Sequence, residues 1–188
     1  MTLVKELKVQ SIVVLAQSFN PSVFNRHWLI KNNFIEEESV LPNSIFVPGV
    51  TQLSTKKFNL VVVPEQLQFN IGHQSVNLDD EIKNTLLPII EKLQEIPYKA
   101  VGLNFNWFVN DSEKSIKELC QELFFISESK LFQKFETENS RFGSYMSMDF
   151  GKSRLKLDIK PVNSLEIKTK ESSEYIQFAF NFHIVLKL

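Results

Sequence analysis

Residues 175–188 read YIQFAFNFHIVLKL, and every second side chain along this stretch is apolar. Successive side chains of a β-strand point to opposite faces of its sheet, so this alternation predicts a strand with one apolar and one polar face. The apolar face comprises Ile176, Phe178, Phe180, Phe182, Ile184 and Leu186. We therefore expect a long final strand at about 174–188 that contributes large side chains to a hydrophobic core.

Six further segments show strand-like alternation or an unbroken run of apolar and amide side chains. The predicted strands are 9–19, 44–53, 58–71, 101–109, 142–150 and 154–168. The predicted strand 58–71 contains Pro64, which cannot donate a hydrogen bond to a neighbouring strand. We expect that strand to bend at the proline or to lie at an edge.

Three helices are predicted between these strands. Asn20-Pro21 joins a helix-capping residue to a proline that suits the first helical turn. Apolar side chains at helical spacing predict a linking helix at about 79–95, kinked at Pro88, and a third helix capped by Asn110 and Asp111. This order of elements predicts an α+β fold, a mostly antiparallel sheet with helices packed on one face.

The two halves of the chain repeat the order strand, capped turn, helix and hairpin. Asn20 and Asn110 occupy the same turn, and Ser44–Pro64 align without gaps on Arg141–Pro161. We therefore expect a single domain, 1–188, containing two pseudo-duplicated strand-helix-strand-strand units. These units span about 9–72 and 99–170, with the linking helix between them and the final strand after them. Chance convergence of strand patterns is the alternative.

A partial resemblance to a known family lies within residues 58–110. A strand ending in Pro64, then Leu67, Phe69 and Asn70, a helix, and a strand with Gly102-Leu103 and Asn106 resemble a sporadically distributed family of uncharacterised bacterial proteins. The resemblance covers less than a third of the chain. The resemblance implies a bacterial source. The family has no assigned activity, so the resemblance implies no activity for this chain.

Composition narrows the cellular setting. The chain is 43% hydrophobic with a formal net charge of −1, which is typical of a globular domain. One cysteine, Cys120, excludes an intrachain disulfide, and no segment reaches the ~18 apolar residues of a membrane-spanning helix. We expect a cytoplasmic protein with no membrane contact.

The chain is poorly equipped to read a nucleic-acid sequence. Its only arginines are Arg26, Arg141 and Arg154, and its lysines form no basic block, so we expect no sequence-specific nucleic-acid recognition.

Residue patterns that support catalysis are lacking. His27, His73 and His183 share no local motif, and Cys120 lies on the apolar stripe of the third helix, where packing is its plain role. Gly151-Lys152-Ser153 resembles the end of a phosphate loop but lacks the glycine that such a loop needs upstream. We therefore expect no enzyme activity, no metal and no cofactor.

The polar faces of the predicted strands are rich in amides and poor in charge. Asparagine is depleted in strands, so this face needs an explanation: either a compositional bias or cover by a partner. The predicted interaction face comprises Gln66, Gln68, Asn70, Asn104, Asn106, Phe108, Gln177, Asn181 and His183.

These observations favour a non-catalytic module that acts through protein-protein association, either at the amide-rich face or at an exposed sheet edge. A homodimer is the expected form, since two-fold pairs are the commonest oligomers. A subunit of a bacterial multi-protein system, such as a toxin-neutralising or defence system, is compatible. The alternative function is small-ligand binding in a Phe-lined pocket between the sheet and the helices. A third possible function is weak non-specific nucleic-acid binding.

Overall fold

The computed structural model describes residues 3–72, 78–165 and 172–186. Within these ranges nine strands form one antiparallel sheet in the order β2-β3-β4-β5-β1-β6-β9-β8-β7. The strands are β1 Leu3–Ala16, β2 Ile45–Val47, β3 Val50–Ser54, β4 Phe58–Val63, β5 Gln66–Ile71, β6 Tyr98–Asp111, β7 Ser144–Phe150, β8 Ser153–Leu165 and β9 Ser172–Val185. The predicted α+β class with an antiparallel sheet is confirmed.

Short helices connect the strands. They are two 3₁₀ helices, Pro21–Phe24 and Glu37–Ser39, the α-helices α1 Arg26–Lys31, α2 Leu78–Glu81, α3 Leu87–Lys92, α4 Ile116–Phe124 and α5 Lys130–Gln133, and a π-helical turn, Ile82–Leu86, between α2 and α3. The chain divides into two compact units. The first unit comprises Val9–Asn104 and His183–Leu188, and the second comprises Met1–Lys8 and Phe105–Phe182.

The core of the first unit lies between one face of its strands and its helices. Leu53, Leu60 and Phe69 are fully buried on that face, and Leu29 of α1 and Ile89 of α3 cover them. Full burial of a side chain of this size contributes roughly 1.5–3 kcal/mol. The helices are short, so this packing, and not helix length, holds them in place.

Two predicted strands of the first unit are each divided by a turn. Residues 44–53 form β2 and β3 around Pro48-Gly49, where Gly49 has a φ of 86°. Residues 58–71 form β4 and β5 around Pro64-Glu65, with Val63 opposite Gln66. The prediction of single strands was wrong because apolar alternation continues on both sides of each turn, while proline fixes φ and favours the reversal.

The linking helix changes its hydrogen-bond pattern just before Pro88. The N–H of Leu87 donates to the carbonyl of Ile82, five residues back, instead of the usual four. Pro88 has no N–H, and in a regular helix its ring clashes with the carbonyl four residues earlier. The wider π-helical turn is a local rearrangement of the kind that accompanies such a break.

In the second unit, α4 packs against β8 and β9. Ile116, Leu119 and Cys120 of the helix bury against Ile159 and Ile176 of the strands. The helix is capped by Ser115, whose side chain and that of Glu118 bond reciprocally to backbone N–H groups. The predicted cap at Asn110 and Asp111 was wrong, since β6 continues through both residues.

Candidate interaction surfaces

Three of the predicted interface residues form a hydrogen-bonded row along β5. Gln66, Gln68 and Asn70 lie on the face opposite the buried Leu67 and Phe69. The amide Nε2 of Gln66 donates to Oε1 of Gln68 at 3.3 Å, and Nε2 of Gln68 donates to Oδ1 of Asn70 at 2.8 Å. The row, which we call the amide row, therefore satisfies part of its own hydrogen-bonding capacity.

The row extends to the neighbouring strands of the first unit. Ser11 of β1 lies opposite Asn70, and Nδ2 of Asn104 on β6 donates to the Ser11 hydroxyl at 3.4 Å. Ser11 is 5% exposed. Ser11 was not among the predicted residues, although its place in the alternation of β1 could have indicated it.

Two histidines that the sequence analysis named lie elsewhere. His183 is half-buried on β9, and His73 lies outside the described residues.

The remaining predicted residues belong to the second unit. Asn106, Gln177 and Asn181 are half-buried in β6 and β9. The Phe108 ring packs 5.4 Å from the ring of Tyr175. Phe108 is therefore held by an aromatic neighbour.

A surface that the residue patterns did not indicate lies along β7, the last strand in the sheet order. β7 pairs with β8 from Ser144 opposite Ile159 to Phe150 opposite Ser153, and no described strand pairs with its outer side. Four of its seven side chains are large, apolar and about half exposed or more: Tyr145 63%, Met146 48%, Met148 55% and Phe150 57%. We call β7 with these four side chains the β7 edge.

The apolar side of the β7 edge continues across the second unit. Met146 and Met148 lie opposite Leu157 and Leu155 of β8. The Phe150 ring meets that of Phe182 at 5.8 Å, and Phe182 in turn meets Phe105 at 6.3 Å. The exposed side chains of the edge are thus the margin of a larger apolar sheet face. Contiguous exposed apolar area is a common mark of an interaction site.

The β7 edge lacks the usual protection against pairing. Proteins protect edge strands with lysine, proline, bulges or short length. β7 has seven residues, no proline and no lysine, and its one charge, Asp149, is paired with Arg154 at 2.9 Å. At the other end of the sheet, β2 is three residues long and is followed directly by Pro48. Of the two edges, only β7 is suited to adding a strand.

The single cysteine of the chain is buried in the second unit. Cys120 is 1% exposed, and burial raises the pKa of its thiol to about 11. A thiol that holds its proton so firmly is a poor nucleophile near neutral pH. In the described part of the chain, no three His, Cys, Asp or Glu side chains come together as a metal site.

One cavity of the first unit has the size of a small-molecule site, about 590 Å³. Phe34 and Phe58 line it together with polar and charged residues from the segments 33–41, 55–58 and 81–85. Its lining therefore differs from the mainly aromatic pocket that the composition suggests.

Across residues 3–72, 78–165 and 172–186, every helix is too short or too polar to cross a bilayer. No protein-family model matches the chain, and no curated protein matches its sequence. The resemblance of residues 58–110 to a bacterial family thus stays a prediction.

Proposed function

We propose that the protein is a non-catalytic binding module that acts as a homodimer, and that two copies join through antiparallel pairing of their β7 edges. The observation that carries this proposal is the exposed, unprotected β7 strand at the end of the sheet. Pairing would satisfy the outward backbone groups of both strands and cover their apolar side chains.

The sequence of β7 is complementary to itself in one register. A two-fold axis through Ser147 places all seven residues opposite a partner, with Met146 opposite Met148 of the second copy. Tyr145 then faces Asp149 of the second copy, so its hydroxyl can donate to a carboxylate, and no like charges meet. Cross-strand pairs of this kind contribute roughly 0.2–1 kcal/mol each. A different protein that offers a strand to β7 is the alternative partner.

The amide row is a second candidate surface, since amides can satisfy one another across an interface without desolvating charge. We rank it below the β7 edge because Gln66, Gln68 and Asn70 already bond to one another.

We also propose that the two halves descend from a duplicated strand-helix-hairpin unit. In the first half, β5 returns to pair with β1 after the hairpin of β3 and β4. In the second half, β9 is the neighbour of β6 and follows the hairpin of β7 and β8. The first half has an additional strand, β2, outside β3, whereas no strand of the described residues lies outside β7. On this hypothesis, the β7 edge is the position that β2 covers in the other half.

Sedimentation of the purified protein over a range of concentrations tests the dimer. We expect a concentration-dependent dimer for the wild type and at least about tenfold weaker association for Met148→Lys, because lysine at an edge opposes pairing. Ile45→Lys, at a similarly exposed position on β2, is the matched control and should associate like the wild type.

Two results would overturn the proposal. One is a wild type that is monomeric at every concentration. The other is normal association of Met148→Lys combined with loss of association in Gln68→Lys, which would assign the interface to the amide row. Circular dichroism of each variant confirms that the fold is intact.

A further inference from the structure

Two of the three methionines of the chain, Met146 and Met148, lie on the β7 edge. Their side chains are 48% and 55% exposed. The two residues are two positions apart on a strand, so they share one face of the sheet. The thioether sulfur of an exposed methionine can be oxidised to a sulfoxide, which turns an apolar side chain into a polar one. Both sulfur atoms are therefore open to oxidants in the single copy.

The remaining sulfur atom of the described residues is protected from oxidants. Cys120 is 1% exposed, and burial raises the pKa of its thiol to about 11. The thiolate is the form of cysteine that reacts with peroxide, and very little of it is present near neutral pH. A peroxide that meets the folded chain is therefore expected to react at β7 before it reacts at Cys120.

Oxidation of Met146 and Met148 is compatible with the fold of the single copy. The buried core of the second unit consists of Ile116, Leu119, Cys120, Phe142, Ile159 and Ile176, and includes neither methionine. Because both methionines are about half exposed, a sulfoxide oxygen at either position can bond to water. The oxidised chain is thus expected to remain folded.

Pairing of two β7 edges changes the surroundings of the methionines. In the register proposed above, Met146 lies opposite Met148 of the second copy, so two such pairs flank the axis at Ser147. Directly opposed side chains of antiparallel strands have Cβ atoms about 4.5–5.5 Å apart. Within each copy, Leu157 lies opposite Met146 and Leu155 lies opposite Met148. The dimer would therefore bring four sulfur atoms together among apolar side chains.

A sulfoxide does not suit these surroundings. Its oxygen accepts hydrogen bonds, whereas the facing methionine and the neighbouring leucines have no donor to offer. The hydroxyl of Ser147 lies on the other face of the strand, since successive side chains alternate. Covering a polar group without a hydrogen-bond partner is unfavourable, so oxidised edges are expected to pair more weakly than reduced ones.

We propose that Met146 and Met148 form a redox switch: hydrogen peroxide oxidises both residues in the single copy, and the sulfoxides oppose pairing of the β7 edges. In each reaction the sulfur lone pair attacks one peroxide oxygen, the O–O bond breaks, and water leaves. The sulfur is oxidised and the peroxide is reduced by two electrons. This inference rests on the proposed function, because it concerns the regulation of the same surface.

Treatment of the purified protein with hydrogen peroxide, followed by peptide mass spectrometry and sedimentation, tests the switch. We expect one added oxygen on each of Met146 and Met148, none on Cys120, and at least about tenfold weaker dimerisation. Methionine sulfoxide reductases of both stereospecificities, supplied with dithiothreitol, should restore the dimer, and dithiothreitol alone should not. Circular dichroism of the oxidised protein should match that of the untreated protein.

The rate of oxidation gives a second readout. Pairing covers part of each methionine, so oxidation at β7 should slow as the protein concentration, and with it the dimer fraction, rises. Added N-acetylmethionine reports the supply of peroxide and serves as the reference. A rate that does not depend on protein concentration, in a wild type that dimerises, would contradict the switch.

Met146→Leu/Met148→Leu is the matched control, since leucine is similar in volume to methionine and has no sulfur. This double variant should dimerise like the wild type both before and after peroxide. Normal dimerisation of the oxidised wild type overturns the switch and leaves the proposed function standing, and so does equal sensitivity of the double variant. Unfolding of the oxidised protein also overturns the switch. A wild type that is monomeric before treatment overturns both proposals.

Discussion

The ring of Phe150, on the edge strand β7, meets the ring of Phe182, on β9, edge to face with their centroids 5.8 Å apart. Phe150 is nevertheless 57% exposed. One side of this ring is therefore fixed by an aromatic contact while the rest is accessible. A large side chain already held in position loses little conformational entropy when a partner covers it.

Phe150→Ala is expected to weaken dimerisation by about tenfold or more, because a fixed aromatic at an interface contributes strongly to affinity. Analytical ultracentrifugation gives the dissociation constant. Phe135→Ala is the control, since Phe135 is 61% exposed in the second unit but lies outside the strands. An equal effect of both variants would show that general surface hydrophobicity drives association.

Ser147→Cys is expected to form a disulfide between two copies under mild oxidation. In the proposed register Ser147 lies opposite its own copy, and directly opposed residues of antiparallel strands have Cα atoms at a separation that suits a disulfide. Non-reducing electrophoresis detects the product. Ser144→Cys should remain uncrosslinked, because residue 144 faces residue 150 of the second copy. Crosslinking of Ser144→Cys alone would contradict the register.

Ser115→Ala is expected to lower the free energy of unfolding by about 1 kcal/mol, because it removes the capping box of α4. Urea denaturation measures the loss. Ser129→Ala is the matched control: Ser129 precedes α5 but makes no side-chain capping bond, so this variant should change stability much less. If both variants lose a similar free energy of unfolding, the hydrogen bonds of the α4 cap are not the source of the stability that Ser115 provides.

The stability of the protein is expected to fall between about pH 9 and pH 11. Burial raises the pKa of the Cys120 thiol from 9.0 to about 11, with Glu174 adding to the rise and Arg141 opposing it. The folded state thus retains a proton that the unfolded state loses, so this stabilisation is complete below about pH 9 and disappears as pH rises through 11. The full change corresponds to roughly 3 kcal/mol.

Denaturation curves at pH 8 and pH 10.5 measure this effect, and Cys120→Ala serves as the comparison. The variant should be less stable at pH 8 because it leaves a small cavity, but it should lose less stability on going to pH 10.5. An identical loss in the two proteins would assign the pH dependence to other groups.

The strands were predictable because alternation records which face is buried. Residues 58–71 indicate correctly that Leu67 and Phe69 share one face and that the amides share the other. The reversal at Pro64-Glu65 was not predicted, since the alternation is intact on both sides of the turn and only the turn chemistry separates β4 from β5. The cap of α4 was misplaced for a similar reason: Asn110 and Asp111 are good capping residues, but the strand pairing of β6 extends through them.

The surfaces were predictable only in part. Alternation places Gln66, Gln68 and Asn70 side by side, and their hydrogen bonds follow from that spacing. It does not indicate which strand lies at an edge, because strand order depends on pairings between residues far apart in sequence. The exposure of Met148 and Phe150 follows from the position of β7 in the sheet, and their residue types alone favour burial.

The three-residue length of β2, followed by Pro48, limits how far strand addition can proceed. A sheet with two open edges could recruit copies without end and grow into a filament, as cross-β polymers do. Here one boundary of the sheet offers too few backbone groups to hold a newcomer. If two copies pair through β7 as proposed, no second edge suited to pairing is left, so assembly is expected to stop at the dimer.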